Sequence, residues 1–198
     1  MEEVCSPLCA DIVERRLAET IDVLTQVGSQ ALTIHTAADA LVAVYRGGGK
    51  LLLCGNGGSA ADAQHIAGEM TGRFLRDRAP WPAVALHCNT STVTAIANDF
   101  GPDLMFARQV EALGSPGDML WALSTSGESR NCIEAMAAAK RKRVTTLAFV
   151  GGGGGEMKRL ADICIHVPHS STPRVQEAHI ALAHIICEMV ELALTGSG

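Results

Sequence analysis

Apolar residues near the start of the chain recur every three or four positions, from Leu17 to Tyr45. This spacing has the period of an amphipathic helix, and it predicts helix from residue 8 to about residue 46. The run Gly47–Gly49 then ends the pattern, because glycine is a weak helix former and is common just after a helix. We therefore predict an N-terminal helical region within residues 1–47.

The remainder of the chain alternates between short apolar runs and segments with helical spacing. The apolar runs are residues 50–54, 83–86, 119–123, 145–150 and 163–167. Continuous apolar runs of this length are typical of strands that are buried on both faces of a sheet. The helical segments are residues 59–73, 90–98, 103–113, 129–141, 156–161 and 174–194. This alternation predicts an α/β fold with a parallel sheet and helices on both of its faces.

Composition adds no domain boundary inside the chain. The run Gly151–Gly155 resembles a linker, but it follows an apolar run directly and has the length of a βα loop. We expect a single domain over residues 1–198. Within it, residues 1–47 would supply helices for oligomerisation and residues 48–198 would form the α/β core.

The charge balance and the lengths of the apolar runs argue against two classes of partner. Sixteen Lys and Arg against 21 Asp and Glu give a net charge of −5. A nucleic-acid-binding protein needs a basic face, and the basic cluster Lys140–Arg143 is only four residues long, so we expect no nucleic-acid partner. No apolar run approaches the ~18–20 residues that span a bilayer, so we also expect no membrane partner.

The N-terminus and the cysteines favour a cytoplasmic location. Glu2, Glu3 and Asp11 stand where a signal peptide would carry basic residues and an apolar stretch. The seven cysteines are scattered and contain no C-x-x-C motif. This usage is typical of reduced thiols and not of a disulfide framework or a zinc ribbon.

Two predicted strands end in loops that are rich in small residues and open directly into a helix. These loops lie within Leu53–Asp62 and Leu123–Ser129. Glycines let the backbone approach an anion, hydroxyls donate hydrogen bonds, and a helix N-terminus adds free N–H groups. A phosphomonoester on a small molecule fits both loops, while tight βα turns without a ligand are the alternative. A dinucleotide site is disfavoured, because the next strand runs into His87–Asn89 with no acidic residue.

Histidine and carboxylate pairs add candidate chemistry. His65 and Glu69 are four residues apart on a predicted helix, so they share one face and form either a simple pair or half of a metal site. His184 lies on an apolar stretch, where a core histidine is the common alternative to a ligand. Asn98 and Asp99 either end a helix or place polar groups at the ligand edge of the sheet.

Together these motifs resemble the sugar isomerase (SIS) superfamily and, within it, the phosphoheptose isomerases. The matching segments are Cys54–Glu69, Thr71–Phe74, Thr94–Gly101, Gly117–Asp118, Ser124–Ser129, Arg174–Ile180 and His184. Their order and spacing match the family from about residue 45 to residue 194. The resemblance implies a three-layer αβα sandwich around a five-stranded parallel sheet. It also implies a homotetramer with active sites at subunit interfaces.

The activity implied by the resemblance is conversion of D-sedoheptulose 7-phosphate to D-glycero-D-manno-heptose 7-phosphate through an enediol. Glu69 and His184 would be the catalytic acid/base pair. The substrate contacts carried over from the family are Asn56, Gly57, Gly58, Ser59, Glu69, Asn98, Asp99, Ser124, Thr125, Ser126, Ser129 and Gln176. One Zn²⁺ per subunit would be bound by His65, Glu69, Gln176 and His184. On a straight helix, however, Gln176 and His184 are separated by about 12 Å of rise.

Two positions depart from the family pattern. Two other kinds of protein share part of that pattern and are alternatives to the isomerase. Glu128 replaces an asparagine found in many relatives, and Pro173 replaces an acidic residue found in some. A non-catalytic SIS protein that binds a replication initiator shares the glycine and hydroxyl loops but lacks the histidine matching His184. A different sugar-phosphate isomerase is the other alternative, although those enzymes place their glutamate base differently.

Overall fold

The predicted alternation of strands and helices is confirmed in the computed structural model, which describes residues 7–196 and the side chains of residues 11–196. The helices are α1 (Pro7–Val27), α2 (Ala31–Arg46), α3 (Gly58–Thr71), α4 (Thr90–Phe100), α5 (Ala107–Leu113), α6 (Arg130–Arg141), α7 (Gly155–Leu160) and α8 (Thr172–Thr195). The strands are β1 (Leu51–Cys54), β2 (Ala83–Ala85), β3 (Met119–Ser124), β4 (Thr145–Val150) and β5 (Ile163–His166). Each strand lies within one residue of its predicted bounds. The ends of the expected domain, residues 1–6 and 197–198, lie outside the described residues.

The five strands form one parallel sheet in the order β2-β1-β3-β4-β5. Alternate side chains of a strand point to opposite faces, so Leu51 and Leu53 enter one core while Leu52 and Cys54 enter the other. Helices α1, α2, α3 and α8 cover the first face, and α5, α6 and α7 cover the second. The predicted three-layer αβα sandwich is confirmed.

The prediction of continuous helix through residues 8–46 is wrong at one point. A 3₁₀ turn at Gly28–Gln30 separates α1 from α2. Glycine costs about 1 kcal/mol in a helix interior, which makes this the weakest position of the run. The Gln30 side chain donates to the carbonyl oxygen of His166 and accepts from the N–H of His166. The chain therefore breaks where it can attach to the edge strand β5.

The predicted helix over residues 103–113 is also divided. A 3₁₀ turn covers Pro102–Leu104, and α5 begins only at Ala107. Phe106 lies between them and is 1% exposed. Burial of this large ring in the second core fixes the local direction of the chain, which helical spacing alone does not indicate.

The apolar face of α1 stays exposed in the single chain. Leu17 is 60% exposed, Ile21 63% and Leu24 37%. We expected the helices of residues 1–47 to serve oligomerisation, with Leu41 and Val42 buried between subunits, and for these two residues that is wrong because both are buried inside the chain. Helix α2 packs against α8 and β5, so its apolar side belongs to the core of the subunit.

The prediction that no apolar run approaches membrane-spanning length is wrong for α8, which is long and apolar enough to cross a membrane by length and composition alone. Helix α8 nevertheless packs against α1, α2 and α3. Its buried residues include Val175, Ile186 and the charged Glu191. A helix that forms the centre of a core passes the same test, and this packing explains the apolarity of α8 without a bilayer.

A pH dependence of stability follows from His179 on α8. The imidazole is fully buried against Phe149, and neither ring nitrogen has a hydrogen-bond partner among the described residues. Burial lowers the pKa of His179 from 6.5 to about 4. Between these pH values the unfolded chain binds the extra proton, so stability is full above pH 6.5 and falls as the pH drops. The loss should reach about 3 kcal/mol near pH 4.

Denaturant titrations at several pH values check this expectation. In His179→Met, which keeps an apolar side chain of similar size, the fall between pH 6.5 and pH 4 should shrink by that amount. His35→Gln changes an exposed histidine and should leave the slope as it is. Equal slopes in wild type and His179→Met would contradict the assignment.

Candidate active site

The carboxyl ends of β1 and β3 form the point where the sheet changes direction. From β1 the chain continues to β2 on one side, and from β3 it continues to β4 on the other. Loops that leave two such strands diverge and open a crevice, which is where parallel α/β sheets bind ligands. The two loops predicted to hold phosphate, Gly55–Gly57 and Thr125–Ser129, border this crevice.

Hydroxyl groups from the second loop converge in the crevice. Ser124 Oγ lies 2.8 Å from Ser129 Oγ and 3.4 Å from Ser126 Oγ, and the Gly127 N–H donates to Ser124 Oγ at 3.1 Å. The cavity has a volume of about 340 Å³. Its lining consists of Asn56, Gly57, Gly58, Ser59, Leu123, Ser124, Thr125, Ser129, Thr172 and Gln176. Seven of the family's predicted substrate contacts from the two loops, and Gln176, therefore share one small cavity.

Close backbone approach explains two glycines at this cavity. A Cβ atom on Gly58 would lie 2.5 Å from Nε2 of Gln176, so any larger residue here would push the Gln176 amide away from the start of α3. A Cβ atom on Gly127, which has φ +69°, would lie 2.0 Å from the carbonyl oxygen of Gly154. The glycine-rich run Gly151–Gly155 is the predicted βα loop, and it packs directly beneath the hydroxyl loop.

A second cluster lies farther along α3 and α8. His65 Nε2 is 3.0 Å from Glu69 Oε1 and 3.1 Å from His184 Nε2. The His184 ring also stacks on Phe74, with ring centroids 5.5 Å apart. His184 is half-buried and paired with His65, so it is not an isolated core histidine.

The donor atoms of this cluster fit a divalent metal. One ligand atom from each of His65, Glu69 and His184 lies within 4.8 Å of the other two. In a tetrahedral zinc site with Zn–N distances near 2.0–2.1 Å, neighbouring ligand atoms are about 3.3 Å apart, close to the separations observed here. Two imidazoles and a carboxylate are also a donor set that catalytic zinc sites use.

Asp62 lies one helical turn before His65 and adds an acidic group to this side of α3. Burial raises the pKa of its carboxyl above the ordinary value, and the charge of His65 opposes that rise. Its Oδ2 has no hydrogen-bond partner among the described residues. Asp62 is thus an available acceptor beside the cluster.

The two clusters are separated by a distance that α3 fixes. Gly58 contacts Gln176 at the cavity, and seven residues later His65 contacts His184, so α3 and α8 run side by side in the same direction. Seven residues of helix rise about 10 Å. An extended seven-carbon sugar phosphate has a comparable length, so its phosphate could occupy the cavity while its far end reaches Glu69.

Comparison with known proteins agrees with this geometry. The SIS domain family model matches residues 17–151. The chain is 51% identical to a phosphoheptose isomerase of Rhodospirillum rubrum over 173 residues, which cover 87% of this chain and 92% of the relative. It is 43% identical to one from Akkermansia muciniphila, covering 94% and 99%. A solved phosphoheptose isomerase from Neisseria gonorrhoeae superposes with a TM-score of 0.87 at 41% identity, covering 92% of this chain and 98% of that one.

The chain belongs to the phosphoheptose isomerase family. This confirms the family that the sequence motifs indicated. Within this family member, four predicted substrate contacts lie outside the cavity lining: Glu69 in the second cluster, the exposed Ser126, and Asn98 and Asp99. Asn98 and Asp99 are exposed at the end of α4, where Asn98 Nδ2 donates to Asp99 Oδ1 at 2.8 Å. Asp99 lines a separate groove between α4 and α5.

Gln176 lies with the loops and not with the histidines. Its amide is held against Gly58, two turns of α8 before His184. Its predicted contact with substrate stays a prediction, and Gln176 lines the cavity where that contact would be made. Its predicted role as a metal ligand stays a prediction from the family.

The two departures from the family pattern have structural explanations. The Glu128 carboxylate accepts a hydrogen bond from the backbone N–H of Glu156 at 3.1 Å, at the start of α7. Its negative charge is therefore engaged with a helix N-terminus, where it is stabilising. Pro173 occupies the first turn of α8, where its missing N–H costs nothing.

Sequence reasoning missed Asn131, which supports the first loop. The side chains of Asn56 and Asn131 exchange two hydrogen bonds, at 2.9 and 2.8 Å. No short motif joins residues 75 positions apart, so only the fold could reveal this pair.

Proposed function

We propose that this chain is the isomerase that interconverts D-sedoheptulose 7-phosphate and D-glycero-D-manno-heptose 7-phosphate. One observation carries the proposal: a hydroxyl-lined cavity lies about 10 Å along α3 from a carboxylate–imidazole cluster. A substrate that bridges the two needs a terminal phosphate and a reactive carbonyl at the other end. Relatives about half identical to the chain are named phosphoheptose isomerases.

The loop cavity binds the phosphate in this proposal. Ser124, Ser126 and Ser129 donate hydroxyl hydrogen bonds to the phosphoryl oxygens, and Thr125 and the glycines at the start of α3 add further donors. The polar side chains of Asn56, Ser59 and Gln176 contact the sugar hydroxyls. Support comes from the small cavity at a helix N-terminus that Ser124, Thr125 and Ser129 line. Ser126 is outside this lining, and its Oγ lies 3.4 Å from Ser124 Oγ.

Glu69 and His184 transfer the protons. Isomerisation moves the carbonyl from C2 to C1, so a proton leaves C1 and one arrives at C2. Glu69 takes the proton from C1 and returns it to C2, while His184 protonates O2 and accepts the proton from O1. The neutral enediol is the intermediate, and both groups end in their starting state. Their closeness across α3 and α8 supports these roles.

One Zn²⁺ per subunit completes the site in this proposal. His65, Glu69 and His184 would hold it, and the family pattern adds Gln176. When bound, zinc would act as a Lewis acid that polarises the substrate carbonyl, which makes the C1 proton easier to remove. The donor set and the short distances among the three ligand atoms support the assignment.

The two alternative functions are less well supported. A scaffold that binds a replication initiator has no use for the paired carboxylate and imidazoles at residues 65, 69 and 184. An isomerase for a different sugar phosphate would have to share about 51% identity with enzymes named for heptose phosphates.

Conversion of the substrate tests the function directly. Purified protein is incubated with D-sedoheptulose 7-phosphate in D₂O, and proton NMR follows the anomeric signal of an aldoheptose phosphate. We expect that signal, with deuterium entering at C2 through solvent exchange of the enediol. Conversion of fructose 6-phosphate without conversion of the heptulose would instead support the second alternative.

The functional unit is a cytoplasmic homotetramer in this proposal, with active sites shared between subunits. The exposed apolar face of α1 supports assembly, because a monomer rarely exposes such a face. Asn98 and Asp99 are exposed and outside the cavity, so they would reach substrate only from a neighbouring subunit. The described cysteines are all free thiols, as expected in a reducing compartment.

Light scattering tests the assembly. Wild type should have four times the 20.7 kDa mass of the chain at micromolar concentration. Leu17→Glu with Ile21→Glu should release smaller species, because two charges would be buried without partners. Arg15→Glu changes charge on a different side of α1 and should leave the mass unchanged. A stable wild-type monomer would contradict the tetramer.

A further inference from the structure

Glu191 near the end of α8 is a buried carboxylate that the proposed chemistry does not use. It is 1% exposed. Oε1 accepts from the Phe74 N–H at 3.1 Å and from Arg78 Nε at 3.0 Å. Oε2 accepts from the N–H groups of Leu75 and Arg76, both at 2.8 Å. A single carboxylate thus fixes the path of the segment that follows α3.

Arg78 extends this contact back to α3. Its Nη2 donates to the carbonyl oxygen of Glu69 at 2.7 Å, and its Nη1 donates to that of Met70 at 3.0 Å. The guanidinium also lies 3.5 Å from the ring centre of Trp81, which stacks on Tyr45. The last turn of α3 is therefore capped by a cation that is itself held by Glu191.

The same segment contacts the other proposed catalytic group. Phe74, whose N–H is bound by Glu191, stacks its ring on His184 at a centroid distance of 5.5 Å. His184 lies two turns before Glu191 on α8. The Glu191 network therefore touches the backbone of Glu69 on one side and the imidazole of His184 on the other.

We propose that Glu191, acting through Arg78 and Phe74, is the positioning residue that sets Glu69 and His184 relative to each other. This inference rests on the proposed roles of those two groups. The Arg78 hydrogen bond and the Phe74 stacking contact join the segment after α3 to both of them. Proton transfer depends steeply on geometry, and a displacement of about 1 Å can cost about 100-fold in rate.

Glu191→Gln tests the proposal with little change in shape. In either orientation of the amide, its NH₂ group takes the place of a carboxylate oxygen that accepts two N–H hydrogen bonds. An amide NH₂ cannot accept them, so two hydrogen bonds are lost. We expect kcat to fall 10- to 100-fold with KM within threefold of wild type, because Gln176 at the phosphate cavity lies about four turns of α8 before Glu191. We also expect the affinity of the metal-free protein for Zn²⁺, measured by competition with a chelator, to fall at least fivefold.

Three reference variants make the outcome decisive. Glu188→Gln removes an exposed carboxylate one turn earlier on α8 and should behave as wild type. Val190→Ala leaves a cavity in the core and lowers the melting temperature while keeping the Glu191 carboxylate and its hydrogen-bond partners. A kcat of Glu191→Gln within twofold of wild type, or an equal loss in Val190→Ala at matched stability, overturns the proposal.

Two further variants cover the remaining outcomes. If Glu191→Gln does not fold, Arg78→Lys decides, since lysine keeps the charge but loses the fork that joins Glu191 to Glu69. Arg78→Lys should lower kcat at least tenfold, and wild-type kcat in it overturns the proposal. Glu69→Gln measured in parallel separates the catalytic role of Glu69 from the positioning role of Glu191. An active Glu69→Gln would refute the catalytic roles proposed above. An inactive Glu69→Gln beside an active Glu191→Gln would refute only the positioning role.

Discussion

Glu69→Gln and His184→Ala are each expected to lower kcat by at least about 100-fold, the usual scale for loss of a general acid or base. Gln keeps the shape of Glu but cannot accept the C1 proton, and Ala removes the imidazole altogether. Both variants should fold and assemble as wild type does, because Glu69 and His184 are both partly exposed and neither belongs to the buried core.

Metal analysis has to accompany these rates. If Glu69 and His184 are also zinc ligands, each variant should lose bound metal together with activity. Glu188→Gln is the matched control, since it removes an exposed carboxylate from α8. Near-normal turnover in both Glu69→Gln and His184→Ala would refute the isomerase mechanism. A lower melting temperature of His184→Ala, with metal binding and turnover kept, would indicate a structural histidine.

Ser124→Ala combined with Ser126→Ala is expected to raise KM well above tenfold. Each lost hydroxyl removes a donor to the phosphate, at a cost on the order of 1 kcal/mol. Ser124 Oγ also accepts from the Gly127 N–H, and Ser126 Oγ accepts from the Glu128 N–H. The double variant therefore also loosens the loop, which adds to the loss.

Steady-state kinetics over a range of substrate concentrations measures this effect. Ser115→Ala lies just before β3, at the end of the strands opposite to the cavity, and should leave KM unchanged. Inorganic phosphate should inhibit wild type more strongly than the double variant if both bind in the same cavity. A wild-type KM in the double variant would show that Ser124–Ser129 is only a turn.

The sequence alone determined the layers of the fold. Short runs such as 145–150, alternating with helical segments, predict strands covered on both faces by helices. Local glycines and hydroxyls after β1 and β3 likewise indicated anion-binding loops. These features are encoded within a few residues, so periodicity and spacing suffice to find them.

Only the tertiary structure decided which distant residues meet. His65 and His184 are 119 positions apart, and their contact depends on α3 and α8 running side by side. The same packing holds Gln176 at Gly58, two turns from the histidines. The break at Gly28–Gln30 depends on the bonds that Gln30 makes with β5.

The Glu191 network shows the limit of sequence reasoning most clearly. A glutamate in the last turns of an amphipathic helix has the pattern of a surface residue, yet Glu191 is buried and binds three backbone N–H groups. A buried carboxylate is stable only when its oxygens are satisfied, and here they are satisfied by a segment more than 110 residues earlier. The sequence determined which elements form, because that information is local. The fold decided which polar groups they share, because that depends on contacts between residues far apart in the chain.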